Sequence, residues 1–316
     1  MKNYFLLLFG LLVTATLFSQ KEEAVTLTTK EGYTICGTLT SPEDQDASSV
    51  PLVILIAGSG PTDRNGNNSL MQNNSLKMLS ALLSENGYAC LRYDKRSIAE
   101  SKIENFDTRT LSFDDFLADA SGWVDKYAEQ YSKVILAGHS QGSLVAFLTA
   151  NQNDKVTAVI SLAGAGRPIH EILKTQLAAS LSVEMQGLVN AKLDTLAMGD
   201  TLQYTPDMFY SLMHPTVQPF LISWMKYAPT EEIARLKIPV LIINGTTDIQ
   251  VAVSEAKLLA ASNEKAKLVI IKNMNHILKF IRLTDQSSQL EVYGDPNIPL
   301  HKKFPSAILK FLDSLE

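Results

Sequence analysis

The sequence predicts an α/β fold built on a mostly parallel, doubly wound β-sheet. Six short segments are apolar and rich in β-branched residues, as strands covered on both faces require: residues 51–57, 88–93, 133–137, 156–163, 238–243 and 268–271. Segments with helical spacing separate them, and this alternation is typical of parallel sheets. The 316-residue chain is 46% hydrophobic and 19% charged, so it can bury a sizeable core.

The helical segments lie where such a sheet needs its crossovers. Each places apolar side chains at intervals of three or four residues; the segments are residues 75–85, 113–131, 143–150, 253–261 and 306–315. Two short alternating runs, residues 25–27 and 33–35, flank Glu31 and Gly32. They predict a hairpin that adds antiparallel strands at one edge of the sheet.

One segment, Arg167 to Leu236, interrupts the alternation. It has no strand-like run, its pattern is helical, and prolines punctuate it. We expect a helical cap (167–236) inserted between two parts of an α/β core (21–166 and 237–316). Five of the nine Met residues lie in this segment. Flexible thioethers suit an adaptable apolar pocket, and they equally suit ordinary helix packing.

Residues 1–20 predict a secretory signal peptide. Lys2 supplies a positive start, the run from Tyr4 to Val13 is almost wholly apolar, and small and polar residues follow. The run is short for a membrane span, although an uncleaved N-terminal anchor stays an alternative. We therefore expect a secreted or periplasmic protein without stable membrane insertion.

Charge and cysteine content narrow the function further. The net charge is −5, and no basic patch with interleaved aromatic residues appears. This argues against nucleic acid or an anionic membrane as partner. Cys36 and Cys90 lie in strand-like runs; an exported protein allows them to pair, but we favour two small buried side chains. We expect no metal and no organic cofactor, and the oligomeric state is not indicated.

The segment Gly138-His-Ser-Gln-Gly142 carries the chemistry. It follows the strand at 133–137 and opens the helix at 143–150. A nucleophile elbow requires this strand–turn–helix setting. The two glycines suit a turn so tight that a Cβ would clash with neighbouring backbone. The turn raises the Ser140 hydroxyl above the strand ends, where open α/β sheets bind ligands.

A serine nucleophile needs a base. Asp248 follows the strand at 238–243 and His276 follows the strand at 268–271, so both leave the same edge of the sheet as Ser140. We predict Ser140 as nucleophile, His276 as base and Asp248 as the acid that orients the base. The other histidines fit less well, because one points into the fold and three lie in the cap or before the last helix: His139, His170, His214 and His301.

These three residues, together with Gly58-Ser-Gly-Pro-Thr-Asp-Arg-Asn-Gly-Asn67, resemble the α/β-hydrolase superfamily. From about residue 24 to its end, the chain is similar to secreted bacterial carboxylesterases of the EstD type, also labelled serine aminopeptidase-like or dienelactone hydrolase-like. The segment Gly245-Thr-Thr-Asp-Ile-Gln-Val251 is more specific than the elbow. The resemblance implies an α/β-hydrolase fold and hydrolysis of carboxylic esters with small to medium acyl chains through an acyl-enzyme on Ser140.

The resemblance also assigns an oxyanion hole. In that family the loop after residues 53–57 supplies one backbone N–H, which maps here to Ser59, with Gly60 as the nearby alternative. The residue after the nucleophile, Gln141, supplies the second N–H.

One loop departs from the family pattern. Tyr93-Asp-Lys-Arg-Ser-Ile-Ala-Glu-Ser101 resembles an Asp-x-Arg-Gly-x-Gly-x-Ser loop, but Ser97 and Ala99 replace the glycines. We therefore expect a differently shaped loop. Its Asp94 and Arg96 are expected to brace it through a salt bridge rather than contact a substrate, and the same holds for Asp63 and Arg64.

Other functions stay open. The same triad serves a peptidase or a lactone hydrolase. A peptidase usually needs a carboxylate for the substrate amine, and the cap offers four: Glu171, Glu184, Glu231 and Glu232. A non-catalytic binding module on this fold is a further alternative, although no triad member is missing. We expect a small-molecule ester as the ligand.

Overall fold

The computed structural model describes residues 20–43, 45–178 and 180–315. The predicted signal peptide lies outside this part of the chain, except that Gln20 is the first residue of a strand. The described strands are β1 (Gln20–Thr28), β2 (Thr34–Pro42), β3 (Pro51–Ile56), β4 (Ala89–Tyr93), β5 (Lys133–His139), β6 (Val156–Leu162), β7 (Val240–Gly245) and β8 (Lys267–Ile271).

These strands form a single sheet in the order β1-β2-β4-β3-β5-β6-β7-β8. The β1–β2 and β2–β4 pairs are antiparallel, and every pair from β4 through β8 is parallel. The fold class predicted from the sequence is thereby confirmed. Because β3 to β8 run in parallel, the loops that follow them all emerge at one edge, where such sheets bind ligands.

Helices cover this sheet, and most lie where the sequence predicts them. They are α1 (Ser75–Glu85), α2 (Phe113–Tyr127), α3 (Gln141–Gln152), α4 (Ile169–Ala178), α5 (Val183–Ala197), α6 (Tyr210–Met213), α7 (Gln218–Met225), α8 (Pro229–Arg235), α9 (Val253–Ser262), α10 (Gln286–Gly294) and α11 (Phe304–Leu312). None of these described helices is long and apolar enough to cross a membrane.

The core has two layers, one on each face of the sheet. Along β3, Leu52 and Ile54 join one apolar cluster, whereas Val53 and Leu55 join the other. Successive side chains of a strand point to opposite faces, which explains why this strand is an unbroken apolar run. Each such side chain contributes about 1.5–3 kcal/mol when fully buried.

Helices α4 to α8 lie between β6 and β7 in the chain, and the described residues of 167–236 contain no strand. One of their contacts with the helices that cover the sheet is aromatic. The rings of Phe113 on α2 and Trp224 on α7 stack with centroids 5.5 Å apart, and the N–H of Phe113 donates to the hydroxyl of Ser223 at 2.8 Å. These contacts fix α7 beside the start of α2. The division of the chain into core and cap stays a prediction.

The two cysteines are free thiols. They lie on the neighbouring strands β2 and β4, but Cys90 is paired in register with Thr40, four residues along β2 from Cys36. That offset rules out a disulfide without backbone movement. Cys90 is wholly buried, as the favoured interpretation requires, whereas Cys36 is only partly buried.

Candidate active site

The turn between β5 and α3 has the geometry of a nucleophile elbow. Ser140 adopts φ 52° and ψ −118°, which is a strained conformation for a residue other than glycine. A Cβ on Gly138 would lie 2.0 Å from the carbonyl oxygen of Gly142, and one on Gly142 would lie 2.3 Å from that of Ile56. Only glycine fits at either position, which confirms the steric reason for the motif.

Asp248 and His276 meet at the same edge of the sheet. The Nδ1 atom of His276 lies 2.8 Å from Oδ2 of Asp248, and both side chains are almost wholly buried. The other carboxylate oxygen accepts the backbone N–H groups of Gln250 and Val251 at 2.8 and 2.9 Å. Since a carboxylate only accepts, Nδ1 carries the hydrogen, and the lone pair of Nε2 is left available as a base.

His139 joins this pair to the elbow. Its ring lies 4.8 Å from the ring of His276, centroid to centroid, and its Nε2 donates to the backbone carbonyl of His276 at 2.8 Å. Burial lowers the pKa of His139 to about 4, so the ring is neutral at pH 7. The residue before Ser140 therefore positions the loop that carries His276, which the sequence alone did not reveal.

Ser140 lines a cavity of about 680 Å³, together with Ser59 and Gln141. Within the described part of the chain, its Oγ makes no hydrogen bond, so the Ser140–His276 hydrogen bond is not formed here. Gly58 packs directly against the serine: a Cβ on this glycine would lie 3.3 Å from Cβ of Ser140. The structure thus places the three predicted residues at one edge and pairs two of them.

The remaining histidines are occupied elsewhere. His170 faces Glu171 at 3.4 Å, the Nδ1 of His214 contacts the Thr216 hydroxyl at 2.8 Å, and the His301 ring packs against Phe280.

The two residues predicted to form the oxyanion hole, Ser59 and Gln141, line the same cavity as Ser140. Across residues 20–43, 45–178 and 180–315, no protein group accepts the backbone N–H of Ser59 or of Gln141, so both are available to a ligand.

The cavity wall is mainly apolar and aromatic. Its larger side chains include Leu111, Phe116, Leu144, Ile172, Phe220 and Trp224. Its charged side chains are Lys95, Arg96 and Arg167, and none of the described Asp and Glu residues lines it. The four cap glutamates considered as seats for a substrate amine lie outside it. No Met from 167–236 lines it either: Met213 and Met225 are buried in the core, whereas Met198 and Met208 are exposed.

The loop after β4 keeps the conformation of a glycine-rich loop without the glycines. Ser97 and Ala99 have φ values of 60° and 45°, in the left-handed region that glycine enters most easily. The surrounding structure therefore holds both residues in a strained conformation, and the expectation of a loop shaped differently from the family pattern stays a prediction.

Buried ion pairs provide that support. Oδ1 of Asp94 accepts the backbone N–H of Arg64 at 2.8 Å, and its Oδ2 lies 3.0 Å from the Arg64 guanidinium. Arg96 donates two hydrogen bonds of 2.9 Å to Asp119 on α2. Asp63 accepts the N–H groups of residues 65 and 67 at 2.8 Å. Asp63, Arg64 and Asp94 thus brace the loops as expected, whereas Arg96 both pairs with Asp119 and lines the cavity.

Comparison with known protein families shows the family to which this chain belongs. A model of the hydrolase family described as serine aminopeptidase, S33 matches residues 73–280, well over half of the chain. The chain belongs to this family. The matched region contains Ser140, Asp248 and His276, and the protein is therefore a hydrolase of the α/β-hydrolase fold. A search of curated proteins finds no match.

Solved structures share the fold of this S33-family chain. An esterase of Pyrococcus furiosus, Pf2001, is 16% identical with a TM-score of 0.58, over 98% of this chain and 96% of that chain. Est1E of Butyrivibrio proteoclasticus, solved with ferulic acid, is 18% identical with a TM-score of 0.60, over 92% and 100%. A thermophilic esterase of Thermogutta terrifontis, solved with malate, is 17% identical with a TM-score of 0.55, over 93% and 99%. At these identities the likeness establishes the fold alone.

Proposed function

We propose that this S33-family hydrolase cleaves carboxylic esters through an acyl-enzyme on Ser140. One observation carries the proposal: the buried Asp248–His276 pair lies at the same edge of the sheet as a strained serine that lines a mainly apolar cavity. A buried carboxylate that orients an imidazole as the base for a serine hydroxyl is the arrangement that acyl transfer requires.

The proposed reaction has two halves. Nε2 of His276 takes the proton of the Ser140 hydroxyl as Oγ attacks the ester carbonyl. The backbone N–H groups of Ser59 and Gln141 hold the negative oxygen of the tetrahedral intermediate. The imidazolium, stabilised by Asp248, gives its proton to the alcohol oxygen as that bond breaks. Water then attacks the acyl-enzyme by the same route and releases the carboxylic acid and free Ser140.

This mechanism needs a hydrogen bond from Ser140 to His276 that is absent in the ligand-free geometry. Such bonds are often loose without substrate and tighten in the complex. We propose that rotation of the Ser140 side chain about Cα–Cβ forms it, since Asp248 already orients the imidazole ring and His139 holds the backbone carbonyl of His276.

An ester fits the cavity better than the N-terminus of a peptide. The charged side chains that line it are all cations, so nothing among them seats a substrate ammonium group. The rings of Phe116, Phe220 and Trp224 offer an apolar wall for an acyl chain of small to medium length or for an aromatic group. Hydrolysis of a lactone uses the same atoms and is the alternative within ester chemistry.

The proposal also includes export of the protein. We infer a secreted or periplasmic enzyme from residues 1–20, which lie outside the described part of the chain, and a small-molecule ester as its ligand. Appearance of the mature protein in the periplasm or medium, shortened at its N-terminus, tests this, and retention of an intact leader in the membrane fraction contradicts it.

The catalytic proposal is tested with p-nitrophenyl esters of increasing chain length, lactones and aminoacyl anilides. Ester turnover should exceed anilide turnover, and a fluorophosphonate should label Ser140. Ser140→Ala should lower kcat by at least about 1000-fold, whereas Ser262→Ala on the surface of α9 should not change it. Full activity in Ser140→Ala, or faster cleavage of the anilides, would overturn the assignment.

A further inference from the structure

Lys95 is a buried lysine beside the proposed oxyanion hole. It lies two residues after the end of β4, is 5% exposed, and lines the same cavity as Ser140. Its Nζ donates to the backbone carbonyl oxygens of Gly58 and Gly60, the latter at 2.8 Å. The ammonium also lies 5.7 Å from the centroid of the Phe116 ring. These contacts place a cation against the turn that contains Ser59.

No carboxylate in the described part of the chain pairs with this ammonium, unlike the neighbouring cations. Arg64 is bound to Asp94 and Arg96 to Asp119. Burial without a counter-ion lowers the pKa of Lys95 to about 7. Removing a charged group from water without an ionic partner costs stability. An apolar residue would fill this place without that cost, which indicates a role beyond packing.

The two carbonyl groups that Lys95 binds lie on either side of Ser59. The Gly58 carbonyl and the Ser59 N–H belong to one peptide unit, which is trans. In a planar trans peptide the C=O and N–H bonds point in opposite directions. The N–H of Ser59 therefore points away from Lys95. A cation bound at the carbonyl end draws electron density toward the oxygen and makes the N–H a stronger donor.

We propose that Lys95 is a positioning residue for ester hydrolysis, which clamps the Gly58–Gly60 turn and polarises the Gly58–Ser59 peptide toward the oxyanion. The proposal rests on the function proposed for Ser140. Lys95 forms no bond to substrate and transfers no proton. It stabilises the negative oxygen through the peptide unit, and its effect belongs to the transition state rather than to substrate binding.

The decisive variant is Lys95→Met, which keeps an unbranched side chain, one atom shorter, but has no donor and no charge. We expect kcat to fall about 10- to 100-fold, less than the loss of a direct oxyanion donor, with KM within about threefold of the wild type. The rate of labelling by a fluorophosphonate should fall in parallel, since the phosphoryl oxygen occupies the same hole. The midpoint of thermal unfolding should change little.

Lys126→Met is the matched control. The Nζ of Lys126 also donates to a backbone carbonyl, that of Thr26, and lies 5.4 Å from the ring of Trp123, but it is remote from the Ser140 cavity. This variant should keep wild-type kcat, KM and labelling rate. A similar fall in kcat for both variants would assign the effect to a general loss of packing and overturn the proposal.

Other outcomes for Lys95→Met also overturn it. A raised KM with unchanged kcat would make Lys95 a contact for substrate, and a lowered unfolding midpoint with unchanged kcat would make it merely structural. If the variant does not fold, Lys95→Gln decides, because it keeps an N–H donor without charge: lowered kcat at constant KM supports the proposal, and unchanged kcat rejects it. Failure of the ester hydrolase itself would show separately, as a wild type that a fluorophosphonate does not label at Ser140.

Discussion

Two loops at the carboxyl edge of the sheet reach strained conformations by different means. The elbow after β5 is held by contact between backbone atoms, with Gly138 and Gly142 packed against carbonyl groups. The loop after β4 is held by buried charges, with Arg64 bound to Asp94 and Arg96 bound to Asp119. Both contain residues other than glycine at positive φ.

In the elbow, the conformation depends on glycine at single positions. In the loop after β4, several residues support the conformation together. Repulsion between atoms at about 2 Å is steep, so no side chain replaces glycine in the elbow. Ionic support is distributed over partners, and replacing both members of a buried pair by apolar residues is often tolerated. The elbow should therefore fail at a single position, whereas the loop after β4 should fail only when its pairs are left incomplete.

The largest effect is expected for Gly142→Ala in the elbow. The new Cβ would lie 2.3 Å from the Ile56 carbonyl oxygen, so strand and helix must separate. We expect a loss above about 5 kcal/mol in the free energy of unfolding, or no folded protein. Gly187→Ala is the control. Its Cβ meets open space on α5, and the substitution should raise the free energy of unfolding by about 0.5–1 kcal/mol. Urea titration measures both, and a stable, active Gly142→Ala protein would refute the steric argument.

The next effect concerns the loop after β4. In Arg96→Met, Asp119 loses its guanidinium partner while its side chain, which is 2% exposed, stays buried. We expect a loss of about 3–5 kcal/mol in the free energy of unfolding. Addition of Asp119→Leu should recover most of the lost free energy of unfolding, because it removes the buried charge that has no partner. If the double variant is as unstable as Arg96→Met, the pair is not what holds the loop.

The smallest effect is relief of strain in the same loop. Ala99 is exposed and has φ 45°, so Ala99→Gly should raise the free energy of unfolding by about 0.5–1 kcal/mol. The same change at Ala191, on the exposed surface of α5, should lower it by about 1 kcal/mol. Opposite signs in denaturant titrations support the assignment of strain, and destabilisation at both positions contradicts it.

Much of the fold was predictable because apolar periodicity is a local property of the chain. The strand β3 and the helix α1 lie where the sequence predicts them. Helix α10 was missed, since only Gln289 and Tyr293 are buried along it and no apolar stripe marks it. It begins where the side chain of Asp285 accepts the N–H of Ser288, a capping signal that the sequence offers without apolar support.

The candidate site, like the fold, could be predicted from the sequence only in part. Ser140, Asp248 and His276 could be predicted to lie together because each follows a predicted strand, and parallel strands end at one edge. The link from His139 to His276 and the place of Lys95 were not found, because neither depends on a motif. A lysine two residues after a buried strand at the carboxyl edge was the available signal for Lys95, and its polar neighbours in the sequence obscured it.

The sequence by itself determined the alternation of strands and helices, the elbow and the three residues predicted to act together, because these follow from hydrophobic spacing and from glycine at a fixed turn. Only the tertiary structure decided how side chains distant in sequence meet. It paired Asp248 with His276, left a cavity whose charged lining is cationic, and set Lys95 against the carbonyls of Gly58 and Gly60. Those contacts depend on distances across the packed fold, which local patterns of residues do not specify.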